Sequence, residues 1–401
     1  MKKKIFLFVA AAMSILSVTS CKSDDNDNSE IVDASFVNET LQVTYNGVPV
    51  IGKNAHLHFD KAQGGEGTLN VYSAIDMSAV AADNQTSSVL YGPGVLPGTP
   101  MLTIPVNVVK EGDNFYFATS GSTEYVDYEL DGEINGSVLS LDFSNVSLKN
   151  KVLAGKSYKP APLDVGHTAV TGSVYVNWES TAKFDIGFGA ENGFPAQTFI
   201  ASLVLNSAFI PMGNTQMSVY DIVKALLKNA TFTADGNITG TYVDMATNQE
   251  TAIPVGIAQY VAVSGNEIKL FLNPEMIIAS AMGARSESGD QSYELDTTPL
   301  LAYAMETFLP MLSEGIPVEY KVENGMTSFY LPSSILLPLA KGPLYDLTSD
   351  PNFVPFVEES MKGMEGMADM MGMIRPAIAS LPSVLEGTTL LELGLNLVDA
   401  E

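Results

Sequence analysis

The chain has very little of three residue types that often carry chemistry. Its 401 residues include one cysteine, one tryptophan and three histidines. A single cysteine excludes an intramolecular disulfide, so packing has to supply the stability. Three histidines leave few ways to build a metal centre or a histidine general base.

Basic residues are also scarce. The chain has 20 Lys and Arg residues against 46 Asp and Glu residues, for a formal net charge of −26. Such a chain repels phosphate backbones and anionic lipid surfaces, so we expect no nucleic-acid partner. Hydrophobic residues make up 46% of the sequence and charged residues 16%, which is enough apolar material for a large core.

Long apolar runs are missing too, and the longest stretch lies at the N-terminus. Three lysines are followed by "IFLFVAAAMSIL", which is too short for a stable membrane span, and then by small residues up to Cys21. This order predicts a lipoprotein signal peptide over residues 1–20. "VTSC" resembles a lipobox, in which Cys21 carries the lipid, such as palmitate, and anchors the protein in a membrane. The alternative is an ordinary cleaved signal peptide with a buried thiol.

Residues 21–35 are predicted to be an acidic, disordered tether. "KSDDNDNSE" has no apolar residue before Ile31, so burial cannot offset the cost of ordering it. The run could be mistaken for a calcium-binding loop, but it lacks the glycine and distal glutamate of such a loop.

Residues 36–155 are predicted to form an antiparallel β-domain. Alternating segments such as "LQVTYNGVPVIG", "NAHLHFD" and "VLSLDFSNVSL" are separated by Asn, Asp and Gly turns, and no helical period is present. The polar stretch 156–167 carries two prolines and is the best candidate for a linker.

Residues 168–401 are predicted to form an α+β domain. "PAQTFIASLVLNSAFI", "SVYDIVKALLKN" and "TTPLLAYAMETFL" have helical periods, with Ser218 and Thr298 as N-caps and Pro299 at the first helical position. "YVAVSGNEIKLFLNPEMII" and "YKVENGMTSFYLPSSIL" form a weak repeat, each a β-hairpin followed by a helix. "NATFTADGNITGTYVD" predicts another hairpin and "TLLELGLNLVD" a final strand. The fold class is therefore α+β and β-rich, with an antiparallel sheet covered by amphipathic helices.

The whole pattern resembles large lipoproteins of unknown function from gut Bacteroidetes. "VTSCKSDD", "VTYNGVPVIGK", "DGEINGSVLSLDFSNVSL" and "ATFTADGNITGTY" carry the likeness. The acidic run after Cys21 resembles the surface-export signal of these lipoproteins. The resemblance implies an outer-membrane lipoprotein that faces the cell exterior, and it implies no activity.

Four patterns could carry chemistry, and each has a structural alternative. Gly47, Gly52 and Lys53 have P-loop spacing, but a strand follows instead of a helix. His56 and His58 share a strand face that Asp60 continues, which could begin a metal site, although an exposed polar face is the simpler interpretation.

Carboxylates and a serine–lysine pair supply the other two patterns. Acids alternate along "VDYELDGEI" from Asp127 to Glu133, where a glycosidase pair or a calcium site is conceivable. We interpret this row as a solvated sheet face that discourages edge pairing. Ser180 and Lys183 match a nucleophile motif by spacing, but the flanking strands place them on opposite faces. We expect no metal and no cofactor.

The most unusual segment is "SMKGMEGMADMMGMIRPAI". Its apolar residues recur at three- and four-residue spacing and predict one face of a helix. Methionine is flexible and lines surfaces that accept variable apolar partners, so this face could wall a ligand pocket. The alternative is a Met-rich core. The candidate ligand-binding residues are Met361, Met364, Met367, Met370, Met371 and Ile374.

The sequence therefore predicts a binding protein for an apolar or amphipathic ligand, with no catalysis of its own. Two other classes stay open at this point. One is a hydrolase whose site forms only in three dimensions, which a buried acid beside a histidine would favour. The other is a structural or adhesive surface protein, which a filled core and flat surfaces would favour.

Overall fold

The computed structural model describes residues 31–50, 52–60, 65–75, 90–166, 170–208, 210–212, 215–244, 247–272, 295–361 and 367–400. These residues form a β-rich α+β fold with antiparallel sheets and several helices, as the sequence predicts. The predicted signal peptide, Cys21 and residues 22–30 of the predicted tether lie outside the described residues. Residues 31–35, which the sequence predicts to belong to the disordered tether, instead form part of the strand Ile31–Val37 because they pair with Asn54–Asp60.

Nine of the described strands form the first sheet. Buried and exposed residues alternate along them, as in Met101–Glu111, because one face packs on the core and the other meets solvent. Leu41–Tyr45 runs parallel to Val138–Leu148, and the other neighbours are antiparallel. In spatial order the strands are Ile31–Val37, Asn54–Asp60, Gly65–Tyr72, Met101–Glu111, Asn114–Ser122, Val126–Asn135, Val138–Leu148, Leu41–Tyr45 and Val48–Val50.

The first sheet folds over on itself around its apolar face. Met101–Glu111 belongs to both halves, because its first part pairs with Gly65–Tyr72 and its last three residues pair with Asn114–Ser122. Phe59 and Phe115 then meet edge to face, with ring centroids 5.2 Å apart. Both phenylalanines are buried, so the two halves share one interior.

Ten of the described strands form the second sheet, with the final strand Thr388–Asp399 near its centre. Val174–Ser180 and Ser157–Pro160 pair with successive parts of one edge of that strand, and Met326–Leu331 pairs with the other edge. The remaining order is Gln249–Ala252, Ile238–Asp244, Leu227–Phe232 and Ser157–Pro160 on one side, and Met326–Leu331, Ile316–Glu323, Glu267–Leu272 and Ala258–Ser264 on the other.

The second sheet curls, so that the turn before the strand Ile238–Asp244 meets the edge strand Ala258–Ser264. The backbone N–H of Tyr260 donates to the carbonyl of Gly236 over 2.8 Å, and Asn237 forms a bridge with Gln259. Inside the curl, Phe232 stacks on Phe329 with centroids 5.2 Å apart. Tyr158, Tyr260 and Tyr320 pack around this pair, so an aromatic cluster fills the interior.

The two sheets share one hydrophobic core that runs from Phe36 to Leu397. The segment 156–167, predicted as a linker, contributes the strand Ser157–Pro160 to the second sheet. The N–H of Leu148, at the end of the first sheet, donates to the carbonyl of Ala234 in a turn of the second sheet over 2.9 Å. The polar linker segment is therefore built into the sheet whose core both regions share.

Most of the described helices lie against the second sheet and its connections, whereas Asn38–Thr40 joins two strands of the first sheet. The described helical segments are Asn38–Thr40, Ala190–Asn192, Ala196–Thr198, Phe199–Val204, Val219–Leu226, Thr298–Tyr303, Ala304–Phe308, Leu309–Glu314, Ser333–Leu339, Ala340–Leu344, Tyr345–Ser349, Phe353–Ser360 and Met367–Glu386. The short strands Ala74–Ile75, Leu90–Tyr91, Asp164–Val165, Val170–Thr171, Lys183–Phe184, Phe194–Pro195, Ile210–Met212 and Thr215–Met217 complete the described elements.

Several predicted boundaries are confirmed and others are wrong. Ser218 caps its helix by accepting from the N–H of Asp221 over 3.1 Å, as predicted. That helix ends at Leu226, since the following residues pair in the strand Leu227–Phe232. The predicted helix that starts near Ala196 ends at Val204, and Ile210–Met212 is a strand. The side chain of Asp296 accepts from the N–H of Thr298, where Thr298 itself was the predicted cap.

The predicted hairpins and the final strand are confirmed. Leu227–Phe232 pairs with Ile238–Asp244, and Ala258–Ser264 pairs with Glu267–Leu272. Ile316–Glu323 and Met326–Leu331 form the second repeat, and the helix Ser333–Leu339 follows it. The helix predicted after the first repeat lies outside the described residues.

Candidate functional site

A partly enclosed cavity of about 260 Å³ lies beside the second sheet. Three elements surround it: the strand Lys183–Phe184, the short helix Phe199–Val204 and the long helix Met367–Glu386, which we call the cavity helix. Within the part of the chain that the structure describes, all of the side chains that line the cavity are apolar. They are Phe184, Phe199, Ile200, Leu203, Val204, Met361, Met373, Ile374, Ala377, Ile378 and Leu381.

The cavity helix presents one apolar face because its lining residues recur every three or four positions. Met373, Ile374, Ala377, Ile378 and Leu381 follow the helical period and so lie on the same side. Exposed Ala379 lies on the opposite side. The helix thus forms one continuous wall over more than two turns.

The opposite wall is a turn of π-helix. Phe199–Val204 winds more widely than an α-helix, and the N–H of Leu205 donates to the carbonyl of Ile200, five residues back, over 2.8 Å. Single π-helical turns are rare and are frequent at functional sites. Four residues of this turn line the cavity.

The aromatic end of the cavity is fixed by ring contacts and hydrogen bonds. The ring of Phe184 packs edge to face against the ring of Trp178, with centroids 5.8 Å apart. The indole N–H of Trp178 donates to the hydroxyl of Thr388 over 2.9 Å, and this hydroxyl donates to the carbonyl of Val384 over 2.7 Å. Trp178 and Thr388 are both buried, so the polar tip of the only tryptophan is satisfied inside the core.

A compact loop leaves the cavity directly after Phe184. One carboxylate oxygen of Asp185 accepts from the N–H groups of Gly187, Phe188 and Gly189 at 2.8, 3.1 and 3.0 Å. Gly187 has a φ of +99°, a conformation that L side chains rarely adopt. The loop holds Phe188 outward with 73% of its surface exposed. Its backbone donors are therefore satisfied within the loop.

Part of the predicted methionine face lines this cavity. Met361 and Ile374 line it, whereas Met371 is half-buried on the same helix outside the lining. Met364 and the side chains of Met367 and Met370 lie outside the described residues. Phe353–Ser360 ends just before Met361, and the cavity helix starts at Met367.

Sequence reasoning missed most of the lining. Met373 continues the helical period and could have been included with Ile374. Phe184, Phe199, Ile200, Leu203 and Val204 lie more than 150 residues before the methionine segment, and no local pattern connects them to it.

The histidine pair lies on an exposed strand face. The imidazole of His56 is 2.7 Å from a carboxylate oxygen of Asp33, and that of His58 is 3.8 Å from the same oxygen. The side chain of Asp33 is 64% exposed, so no buried acid accompanies these two histidines. His167 and the side chain of Asp60 lie outside the described residues. Across the described ranges, no three His, Cys, Asp or Glu side chains form a group that could hold a metal ion.

The acidic row alternates with buried residues along Val126–Asn135. Asp127 accepts from the hydroxyl of Ser122 over 2.7 Å, and Glu129 accepts from Asn145 over 2.7 Å. Glu133 is held by Asn114 and Tyr116, each at 3.2 Å. These partners are neutral hydrogen-bonding groups on the solvent side of the first sheet, which fits the interpretation of the row as a solvated face.

The P-loop-like motif and the serine–lysine pair both make structural contacts. Buried Lys53 donates to the carbonyl of Pro93 over 2.6 Å, and the strand Asn54–Asp60 follows it. The hydroxyl of Ser180 donates to the carbonyl of Val384 over 2.8 Å, whereas the exposed Lys183 reaches the carbonyl of Glu191 at 3.3 Å. These contacts give Ser180 and Lys183 different partners.

No protein-family model, curated protein or solved structure matches this chain. Within the described ranges, no helix combines the length and apolar character that crossing a bilayer requires.

Proposed function

We propose that this protein binds an apolar or amphipathic ligand in the cavity between the cavity helix and Phe199–Val204. The observation that carries the proposal is the lining, in which every side chain contributed by the described residues is apolar. None of these described side chains could act as a general acid, general base or nucleophile. It can bind hydrocarbon by removing it from water, which contributes about 0.8 kcal/mol per CH₂ group.

The size of the cavity also supports a bound ligand. An apolar occupant of this size would remove the apolar wall from water, which is favourable in proportion to the area covered. A Met- and Ile-lined wall can adapt to its shape.

We further propose that the protein is an outer-membrane lipoprotein facing the cell exterior. The order of a basic start, a short apolar run and Cys21 supports a lipid anchor. A Cys21→Ser variant should then appear in the soluble fraction after a carbonate wash. If that variant stays with the membranes, Cys21 is not the anchor.

The binding proposal is tested with N-phenylnaphthylamine, a neutral fluorescent probe that brightens in apolar surroundings. We expect saturable binding to the parent protein and loss of binding in Ile374→Glu, because a carboxylate would enter the apolar wall. Ala379→Glu places the same charge on the exposed side of the same helix and should bind the probe normally.

A thermal melt of the same variants separates the cavity from a closed core. In a wettable wall, Ile374→Glu should lower the melting temperature only modestly. A sharp fall in the melting temperature, together with a parent protein that binds no probe, would show that these residues are ordinary core and would refute the binding proposal.

A further inference from the structure

The cavity follows one face of the cavity helix. Its lining runs along the cavity helix from Met373 to Leu381, a rise of about 12 Å at 1.5 Å per residue. A ligand that covers the whole of this wall therefore has to extend along the helix axis over a comparable distance.

The volume also sets how much chain fits. An apolar cavity of about 150 Å³ accommodates benzene, which corresponds to about 25 Å³ per carbon. On that scale 260 Å³ holds about ten carbons. Since the described lining residues offer no polar side chain, we expect a polar head to remain outside the cavity.

Ala377 lies at the middle of the helical wall. It is the smallest of the lining residues, it is 2% exposed, and Met373 and Leu381 lie one turn before and after it. A larger side chain at this position would project into the space midway along the chain's path. The length of chain that fits therefore depends on the size of residue 377.

We infer that the ligand carries an aliphatic chain, of which about ten carbons are buried, and that Ala377 helps to set this length. The inference rests on the proposed function and adds the ligand's chemical class: an aliphatic chain with its polar head in solvent.

The first test measures how well linear alkanols of roughly six to fourteen carbons displace N-phenylnaphthylamine from the parent protein. Each added carbon should raise the affinity about fourfold while it is buried. The gain should stop at about ten carbons, where the cavity is full.

The second test changes the chain length at which the affinity stops rising. Ala377→Leu adds three carbons to the wall and should shift the limit from about ten to about seven carbons. Ile378→Ala removes three carbons and should shift it to about thirteen, which also provides a reciprocal test if Ala377→Leu does not fold. Ala379→Leu makes the same change as Ala377→Leu on the exposed side and should leave the limit unchanged.

The outcomes distinguish the two proposals. If the probe binds saturably but the gain per carbon continues past about twelve carbons, the chain-length inference is wrong and the binding proposal stands. An equal loss for every chain length in Ala377→Leu, with an unchanged limit in Ile378→Ala, also contradicts the inference. Absence of any probe or alkanol binding to the folded parent protein refutes both.

Discussion

The ring of Phe184 stacks on the ring of Phe199, with centroids 4.2 Å apart and planes 20° from parallel. Phe184 ends a short strand, and Phe199 begins the π-helical turn on the other side of the Asp185 loop. The stack therefore joins two of the three elements that surround the cavity. It also holds the aromatic end of the cavity in place while the cavity helix supplies an aliphatic wall.

Removing one ring of this stack should destabilise the protein and enlarge the cavity. Phe184 is 2% exposed, so Phe184→Ala should cost about 3–5 kcal/mol in the free energy of unfolding. The matched control is Phe188→Ala, four residues later, where the ring is 73% exposed and the change should stay within about 0.5 kcal/mol. Urea unfolding of both variants measures the difference. Equal effects would show that the stack does not stabilise the cavity wall.

The hydroxyl of Thr388 should be essential for the tryptophan beside the cavity. Thr388→Val keeps the shape but leaves the buried indole N–H of Trp178 without an acceptor, which should cost about 1–3 kcal/mol. Thr388→Ser retains the hydroxyl and should lose distinctly less stability. Thermal unfolding and the fluorescence maximum of Trp178 report both effects. If Thr388→Val is no more destabilising than Thr388→Ser, the hydrogen bond to Trp178 does not supply the predicted stability.

Alkaline pH should weaken the second sheet through its tyrosines. Burial, together with the carboxylates of Glu319 and Glu392, raises the pKa of Tyr330 to about 12. The folded protein then holds this proton more tightly than the unfolded chain, in which the tyrosine pKa is about 10. The stabilisation is complete below about pH 10 and is lost as the pH rises through about 12.

Two variants isolate the contribution of Tyr330 ionisation to the loss of stability at alkaline pH. Tyr330→Phe removes the ionising group. Glu319→Gln removes a neighbouring charge and replaces the carboxylate acceptor of a 3.3 Å hydrogen bond by a neutral amide. In both variants the urea midpoint should fall less steeply between about pH 10 and 12 than in the parent protein. Identical slopes in the three proteins would contradict the role of Tyr330. Other tyrosines with raised pKa values, such as Tyr260, should keep some alkaline sensitivity in all of them.

Local patterns predicted most strands of this fold. Thr388–Asp399 and Met101–Glu111 could be recognised because side chains alternate between two faces, and Asn and Gly turns mark the hairpins. The errors occur where pairing with distant strands decides the conformation. Leu227–Phe232 starts inside a helical pattern, and Ser157–Pro160 starts in a polar, proline-containing segment, yet each pairs within the second sheet.

The site could be predicted only on one side. The helical period identified Ile374 and predicted an apolar face, because residues on one helix are related by spacing alone. The facing wall depends on how Phe199–Val204 packs across the domain, and such a long-range contact leaves no local period in the sequence. The acidic run and the lipobox-like segment concern location, so they gave no information about this wall.

The central claim is that hydrocarbon enters the cavity, and Trp178 allows a direct measurement. It is the only tryptophan, and its ring lies 5.8 Å from Phe184, which lines the cavity. A bromine-terminated decanol should quench its fluorescence saturably in the parent protein and in Ala379→Glu, but not in Ile374→Glu. Quenching that rises linearly without saturation, or that is equal in all three proteins, would contradict the account.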